Sequence, residues 1–102
     1  MLKKLSKQEL VHKLQDIAHW SILGEDKWLN RKFKFKDWKE TLNFINKVSV
    51  IAEDMNHHPD VSFSYGWCNI RIKTHDIEAL SELDFKLAVE INKIINTLKI
   101  PG

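Results

Sequence analysis

The sequence predicts an α+β fold, a two-layer sandwich in which a four-stranded antiparallel sheet carries three helices on one face. Two observations predict it. Apolar residues recur at threes and fours in three stretches, each opened by a capping signal. Between those stretches lie two pairs of short runs with period-two alternation, each pair joined by a turn. The order is therefore helix, two strands, helix, two strands, helix; hairpins make an antiparallel sheet whose apolar face the helices must cover.

The first helix opens at Ser6-Lys7-Gln8-Glu9, a capping box, and continues through Leu10, Leu14, Ile17 and Ala18 to an expected end near His19. Trp20 to Leu23 reads as a short strand, Gly24 to Lys27 as a turn, and Trp28 to Phe35 as a second strand. In that strand Arg31, Phe33 and Phe35 share one parity, against Lys32 and Lys34 on the other. Asp37-Trp38-Lys39-Glu40 is another capping box, followed by Trp38, Leu42, Ile45, Val48, Ala52 and Met55 along one helical face. Val61, Phe63 and Tyr65 then alternate with serines in a strand expected to be half-buried. Gly66 turns the chain into a partner strand carrying Cys68, Ile70 and Ile72. A third cap at Ser81-Glu82-Leu83-Asp84 starts a helix with Leu83, Leu87, Ile91, Ile94, Ile95 and Leu98, and Pro101-Gly102 follows it. Two free sheet edges and the wide apolar surface of the last helix point to a homo-oligomer.

Composition narrows the class. At 102 residues the expectation is one domain, 1–102, large enough for a single modest core. A hydrophobic content of 43% with 29% charged residues excludes a disordered chain. No apolar run approaches a membrane span, and Met1-Leu2-Lys3-Lys4 is not followed by a signal-peptide core. Cys68 is the only cysteine, which fits a reducing, cytoplasmic location. Lys34, Lys36 and Lys39 are spaced out by apolar residues and the net charge is only +2, so this face reads as solvated. Neither nucleic acid nor membrane is expected as a partner.

Chemistry concentrates in Glu53-Asp54-Met55-Asn56-His57-His58-Pro59, where a helical pattern stops and a strand begins. Pro59 pushes His58 towards extended backbone. Asn56 suits the left-handed residue that ends a helix. A histidine pair there can cap the last carbonyls or handle protons near neutral pH. His75 favours the second reading, because a hairpin starting just after Pro59 brings its far end back beside its beginning. Three imidazoles then converge. Zinc would take three histidines plus water, but adjacent ligands in an extended turn diverge. Acid-base work on two sides of a bound molecule fits better, without metal. Glu53, one turn before His57, reads either as an orienting carboxylate for that ring or as a solvent-facing acid. Asp84 reads either as part of the helix cap or as a carboxylate holding His75 in one tautomer. Trp20 is a core residue or a wall for a flat heterocycle. His12 and His19 carry no assigned role, and Cys68 reads as core.

These residues resemble the pterin-4a-carbinolamine dehydratases. The run Glu53 to Pro59 is similar to that family's acid, three residues, His-His-Pro signature, with Thr74-His75-Asp76 and Leu80-Ser81-Glu82-Leu83-Asp84 similar to its later segments. Upstream, Phe33-Lys34-Phe35-Lys36-Asp37-Trp38 resembles the run that opens its middle helix, and Trp20 stands where the family places an active-site tryptophan. The likeness runs from about Leu10 onward. It implies a hydro-lyase that removes water from 4a-hydroxytetrahydropterin, giving the quinonoid dihydropterin, with no cofactor. It further implies His57, His75, His58 and Asp84 as the catalytic set. His58, Glu53, Trp20 and Pro59 would contact the substrate, in a homodimer formed by edge pairing or a homotetramer formed through helices. The resemblance leaves open a non-catalytic binding or assembly role, and a place in molybdopterin rather than tetrahydrobiopterin metabolism. Three residues depart from the pattern: His19 replaces a glycine, and Trp28 and Trp67 are bulkier than expected.

Overall fold

The capping residues start the helices where their side chains satisfy the first free backbone N–H groups. The Ser6 hydroxyl accepts from the Glu9 N–H at 3.1 Å and the Glu9 carboxylate accepts from the Ser6 N–H at 2.8 Å, closing a full box. Asp37 likewise accepts from the Glu40 N–H at 2.8 Å, but the Glu40 carboxylate reaches one residue further back, to the Lys36 N–H at 2.9 Å.

The computed structural model describes residues 2–98; Met1 and residues 99–102, Pro101-Gly102 among them, lie outside the described residues. The order is α1 (Lys7–Leu14), β1 (Ser21–Leu23), β2 (Trp28–Lys34), α2 (Trp38–Met55), β3 (Asp60–Ser64), β4 (Trp67–Ile72), a 3₁₀ turn (His75–Ile77) and α3 (Glu82–Leu98). The strands form one antiparallel sheet in the order β1-β2-β4-β3. The expected α+β architecture is therefore the observed one. Inward residues of the central strands, Leu29, Phe33, Cys68, Ile70 and Ile72, meet Leu10 of α1, Phe44 and Val48 of α2, and Leu87, Ile91 and Ile95 of α3. One core thus lies between one face of the sheet and all three helices, and the other face stays open.

Three local expectations are corrected. α1 ends at Leu14, not near His19, because its last turn tightens into 3₁₀-type bonds: Gln15 N–H to His12 O, Asp16 N–H to Lys13 O and Ile17 N–H to Leu14 O. This turn buries Ile17 and leaves Ala18 exposed, and His19 then reverses the chain with φ 73°. In α2 the buried residues include Thr41 and Phe44, whereas Trp38, in the first turn, is 47% exposed and packs on Phe63 at 5.5 Å. Finally, β3 is not half-buried. It lies at the sheet edge, where Val61, Phe63 and Tyr65 are 38%, 40% and 62% exposed. Their register partners Ile70 and Cys68, one strand further in, are fully buried.

The β3–β4 turn is Tyr65-Gly66. A Cβ at position 66 would sit 3.1 Å from the Phe35 carbonyl oxygen, so glycine is what lets the Gly66 carbonyl accept from the Phe35 N–H at 2.9 Å. Beside this turn, Cys68 is fully buried, and burial pushes its thiol up from 9.0 to about 12. Since the thiolate is the nucleophile, Cys68 should resist alkylation at pH 8 in the native protein and react once urea unfolds it. The raised folded value fixes the sign of the linkage: stability from this group is intact below pH 9 and is lost as pH rises from 9 to about 12, where only the unfolded chain ionises. Rapid labelling of native protein at pH 8 would contradict this placement.

Candidate active site

α2 terminates in a Schellman arrangement. Asn56 adopts the left-handed conformation (φ 50°, ψ 44°), its N–H donates to the Glu53 carbonyl at 3.1 Å, and the His57 N–H donates to the Ala52 carbonyl at 3.0 Å. This turn swings the chain across the end of α2, so His57 points inward and His58 outward. β3 then pairs antiparallel with β4, Asp60 opposite Arg71, which returns the chain end after β4 to the same place. His57, His58 and His75 consequently line one cavity of about 430 Å³, with Leu2, Met55, Asn56, Thr74, Asp76 and Leu83. That volume falls in the range of roughly 300–1,000 Å³ usual for small-molecule sites.

The three imidazoles have different partners. His57 is 8% exposed, and its Nε2 lies 2.6 Å from Oδ1 of Asp84, which is fully buried. The second Asp84 oxygen accepts from the Thr74 hydroxyl at 2.8 Å and from the Ser81 N–H at 2.8 Å. The Ser81 hydroxyl lies 2.6 Å from the Thr74 hydroxyl. Because Thr74 spends its proton on Asp84, Ser81 must donate to Thr74, and the chain of hydroxyls runs toward the carboxylate. A carboxylate accepts only, so Nε2 of His57 carries the proton in this pair. Nδ1 is then the nitrogen left to exchange protons. His58 is exposed and its Nε2 pairs with the Glu53 carboxylate at the surface. His75 begins the 3₁₀ turn and is exposed; its ring meets the Trp28 indole edge-on at 6.0 Å and 81°. Its imidazole has no hydrogen-bond partner among the described residues.

Several residues named from the sequence stand elsewhere than expected. Asp84 does serve the start of α3, through the Ser81 N–H, but the ring it holds is that of His57, not His75. Glu53 pairs with His58 rather than His57, because the left-handed Asn56 breaks the continuous helix that spacing by four assumes. Trp20 does not line the cavity. It is buried, and its indole N–H donates to Asn92 Oδ1 at 2.7 Å, the same oxygen that accepts from Arg31 Nη1 at 2.6 Å. Pro59 also lies outside the cavity walls, half-buried at the entry to β3. Sequence reasoning found Ser81 as the cap partner of Asp84 but missed Thr74 as a further donor to it. The signal available was a threonine two residues past the end of β4, ahead of a serine three residues before a carboxylate. It also missed Trp28 as the aromatic nearest His75. Among the described residues, no three His, Cys, Asp or Glu side chains are grouped so as to hold a metal ion, and no helix is long and apolar enough to cross a membrane.

A carboxylate-held imidazole and one with no hydrogen-bond partner among the described residues stand on the same small cavity. Residues 3–94 match the family model for pterin 4 alpha carbinolamine dehydratase, and the chain belongs to that family of dehydratases. A relative from Sulfurisphaera tokodaii, whose provisional name is pterin-4-alpha-carbinolamine dehydratase, is 38% identical over 92% of this chain and 99% of its own. One of the same provisional name from Halorhodospira halophila is 36% identical over 88% of this chain and 83% of its own. The crystal structure of a transcriptional coactivator/pterin dehydratase from Brucella melitensis superposes with a TM-score of 0.86 at 28% identity, covering 90% of this chain and 98% of that one.

Proposed function

We propose that this chain removes water from a 4a-hydroxytetrahydropterin, giving the quinonoid dihydropterin, by histidine general acid-base catalysis. The supporting observation is the cavity shared by His57, His58 and His75, with His57 tethered to the buried Asp84. Elimination breaks the C4a–O bond and the N5–H bond and forms the C4a=N5 bond, so one group must protonate the leaving oxygen while another accepts the N5 proton. Asp84 stabilises the imidazolium that forms when Nδ1 of His57 takes a proton, which suits His57 to N5. His75, whose ring pairs with no carboxylate among the described residues, suits the leaving hydroxyl. His58, held by Glu53 at the rim, binds the substrate, and Met55 and Leu83 supply apolar walls for the flat ring. Stopped-flow absorbance of a freshly generated 4a-hydroxytetrahydropterin tests this. The protein should accelerate its decay by at least about a hundred-fold at catalytic concentration. Decay at the buffer rate would overturn the proposal.

The same reading includes self-association. The edge strand β3 leaves Val61 and Phe63 exposed beside an open row of backbone groups, and Val50, Ile51, Ile94 and Leu98 line an apolar groove between α2 and α3. A second copy pairing along β3 extends the sheet and covers Phe63; copies meeting through the groove make the dimer a tetramer. Light scattering should return two or four chains, and Phe63→Lys should lower that number. A single chain at micromolar concentration would refute self-association while leaving the catalytic proposal standing.

A further inference from the structure

The sheet face opposite the helices is polar, basic and uncovered by any other element. Register places its outward residues in three rows across β2, β4 and β3: Asn30, Arg71 and Asp60; Lys32, Asn69 and Ser62; Lys34, Trp67 and Ser64. A fourth position is made by Trp28 and Lys73, the Lys73 ammonium lying 4.6 Å from the centre of the Trp28 ring. The Arg71 guanidinium approaches the same indole at 4.3 Å, and Lys32 lies 4.9 Å from Trp67. Asn69 Nδ2 donates to Asn30 Oδ1 at 2.9 Å, ordering the amides between the two indoles. Four cations therefore stand on this face against one carboxylate of the strands, Asp60, which is 3.9 Å from Arg71. Glu78, beyond the sheet, pairs with Lys73 at 3.0 Å. Lys32 and Lys34 have no acidic partner among the described residues.

Apolar interfaces need apolar side chains, and outside Trp28, Trp67 and the tip of β1 this face has none. Cations, amides and indoles interleaved on a flat sheet match a polyanion that also carries flat rings. Its phosphates would meet Lys32, Lys34, Arg71 and Lys73, and its bases would stack on the indoles once the cations swing onto phosphate. We propose that the open sheet face binds single-stranded nucleic acid. The basic patch is invisible along the chain, because Lys32 and Lys34 come from β2, Arg71 from β4 and Lys73 from just beyond its end. Strand pairing assembles it.

Fluorescence anisotropy of the full chain with labelled oligothymidylate and oligouridylate tests this, the two arms telling DNA from RNA. Four neutralised phosphates predict a slope of log K against log salt near −3, so affinity falls roughly fifty-fold between about 50 and 200 mM salt. Lys32→Ala with Lys34→Ala should halve that slope. Trp67→Val should weaken the single strand roughly ten-fold or more and leave a duplex of matched length unaffected. The lysine variant lies on exposed side chains away from the histidine cavity, so native circular dichroism and unchanged dehydration serve as its controls. Absence of binding at low salt, equal binding by the lysine variant, or a duplex bound as tightly as the single strand with no effect of Trp67 would each overturn the assignment.

Discussion

Asp84→Ala is expected to lower the stability of the fold by about 3–5 kcal/mol, the cost of removing one member of a buried ion-pair-like group. The side chain is fully buried and accepts from His57 Nε2, the Thr74 hydroxyl and the Ser81 N–H at once. Alanine leaves all three donors unsatisfied out of reach of water, and each unsatisfied buried group costs about 1–3 kcal/mol. It also removes the side-chain link between the start of α3, the end of β4 and the end of α2. In urea the midpoint should fall by at least about 1 M, given slopes of roughly 1–3 kcal/mol/M for small proteins. Asp84→Asn keeps the volume and one acceptor but must turn an N–H₂ toward a group that is itself a donor. It should unfold between wild type and alanine, and lose turnover out of proportion to stability, because an amide does not hold His57 with its proton on Nε2. A midpoint for Asp84→Ala equal to wild type would show that the carboxylate is not the tie between these elements.

The architecture was legible because its signals are local. Ser6 with Glu9, Asp37 with Glu40, and Ser81 with Asp84 mark helix starts by contacts within four residues, and the alternation of Cys68, Ile70 and Ile72 reads directly as one buried face. Asn56 ending α2 and the return of His75 beside His57 also follow from chain geometry. What failed depended on neighbours distant in sequence. Val61 and Phe63 alternate as cleanly as Ile70 and Cys68, yet only strand order decides which pair sits at an edge. Ile17 kept helical spacing beyond the end of α1 because it is buried from a turn that no Gly or Pro announces. At the site, the composition of the cluster was visible but its pairing was not. Whether Asp84 meets His57 or His75 depends on how α3 docks against the end of α2, and Glu53 changes partner because Asn56 bends the chain between them.

That pairing separates the roles of the histidines, and their alanine variants should separate in the same way. His75→Ala should reduce kcat for dehydration by roughly 10²–10⁴-fold, the usual contribution of a positioned acid or base. Far-UV circular dichroism and the urea midpoint should stay native, because the ring is exposed and has no hydrogen-bond partner among the described residues. His57→Ala should lose a similar factor but also stability, since it strands the buried Asp84 carboxylate. His58→Ala should act mainly on KM. Its pair with Glu53 is solvent-exposed, and such pairs contribute about 0–1 kcal/mol to folding. If His57 and His75 serve the same elimination, removing both should cost less than the product of the single losses, because once one partner is gone the other has little left to assist. Full turnover in His75→Ala would leave the convergence of the three rings without a catalytic meaning.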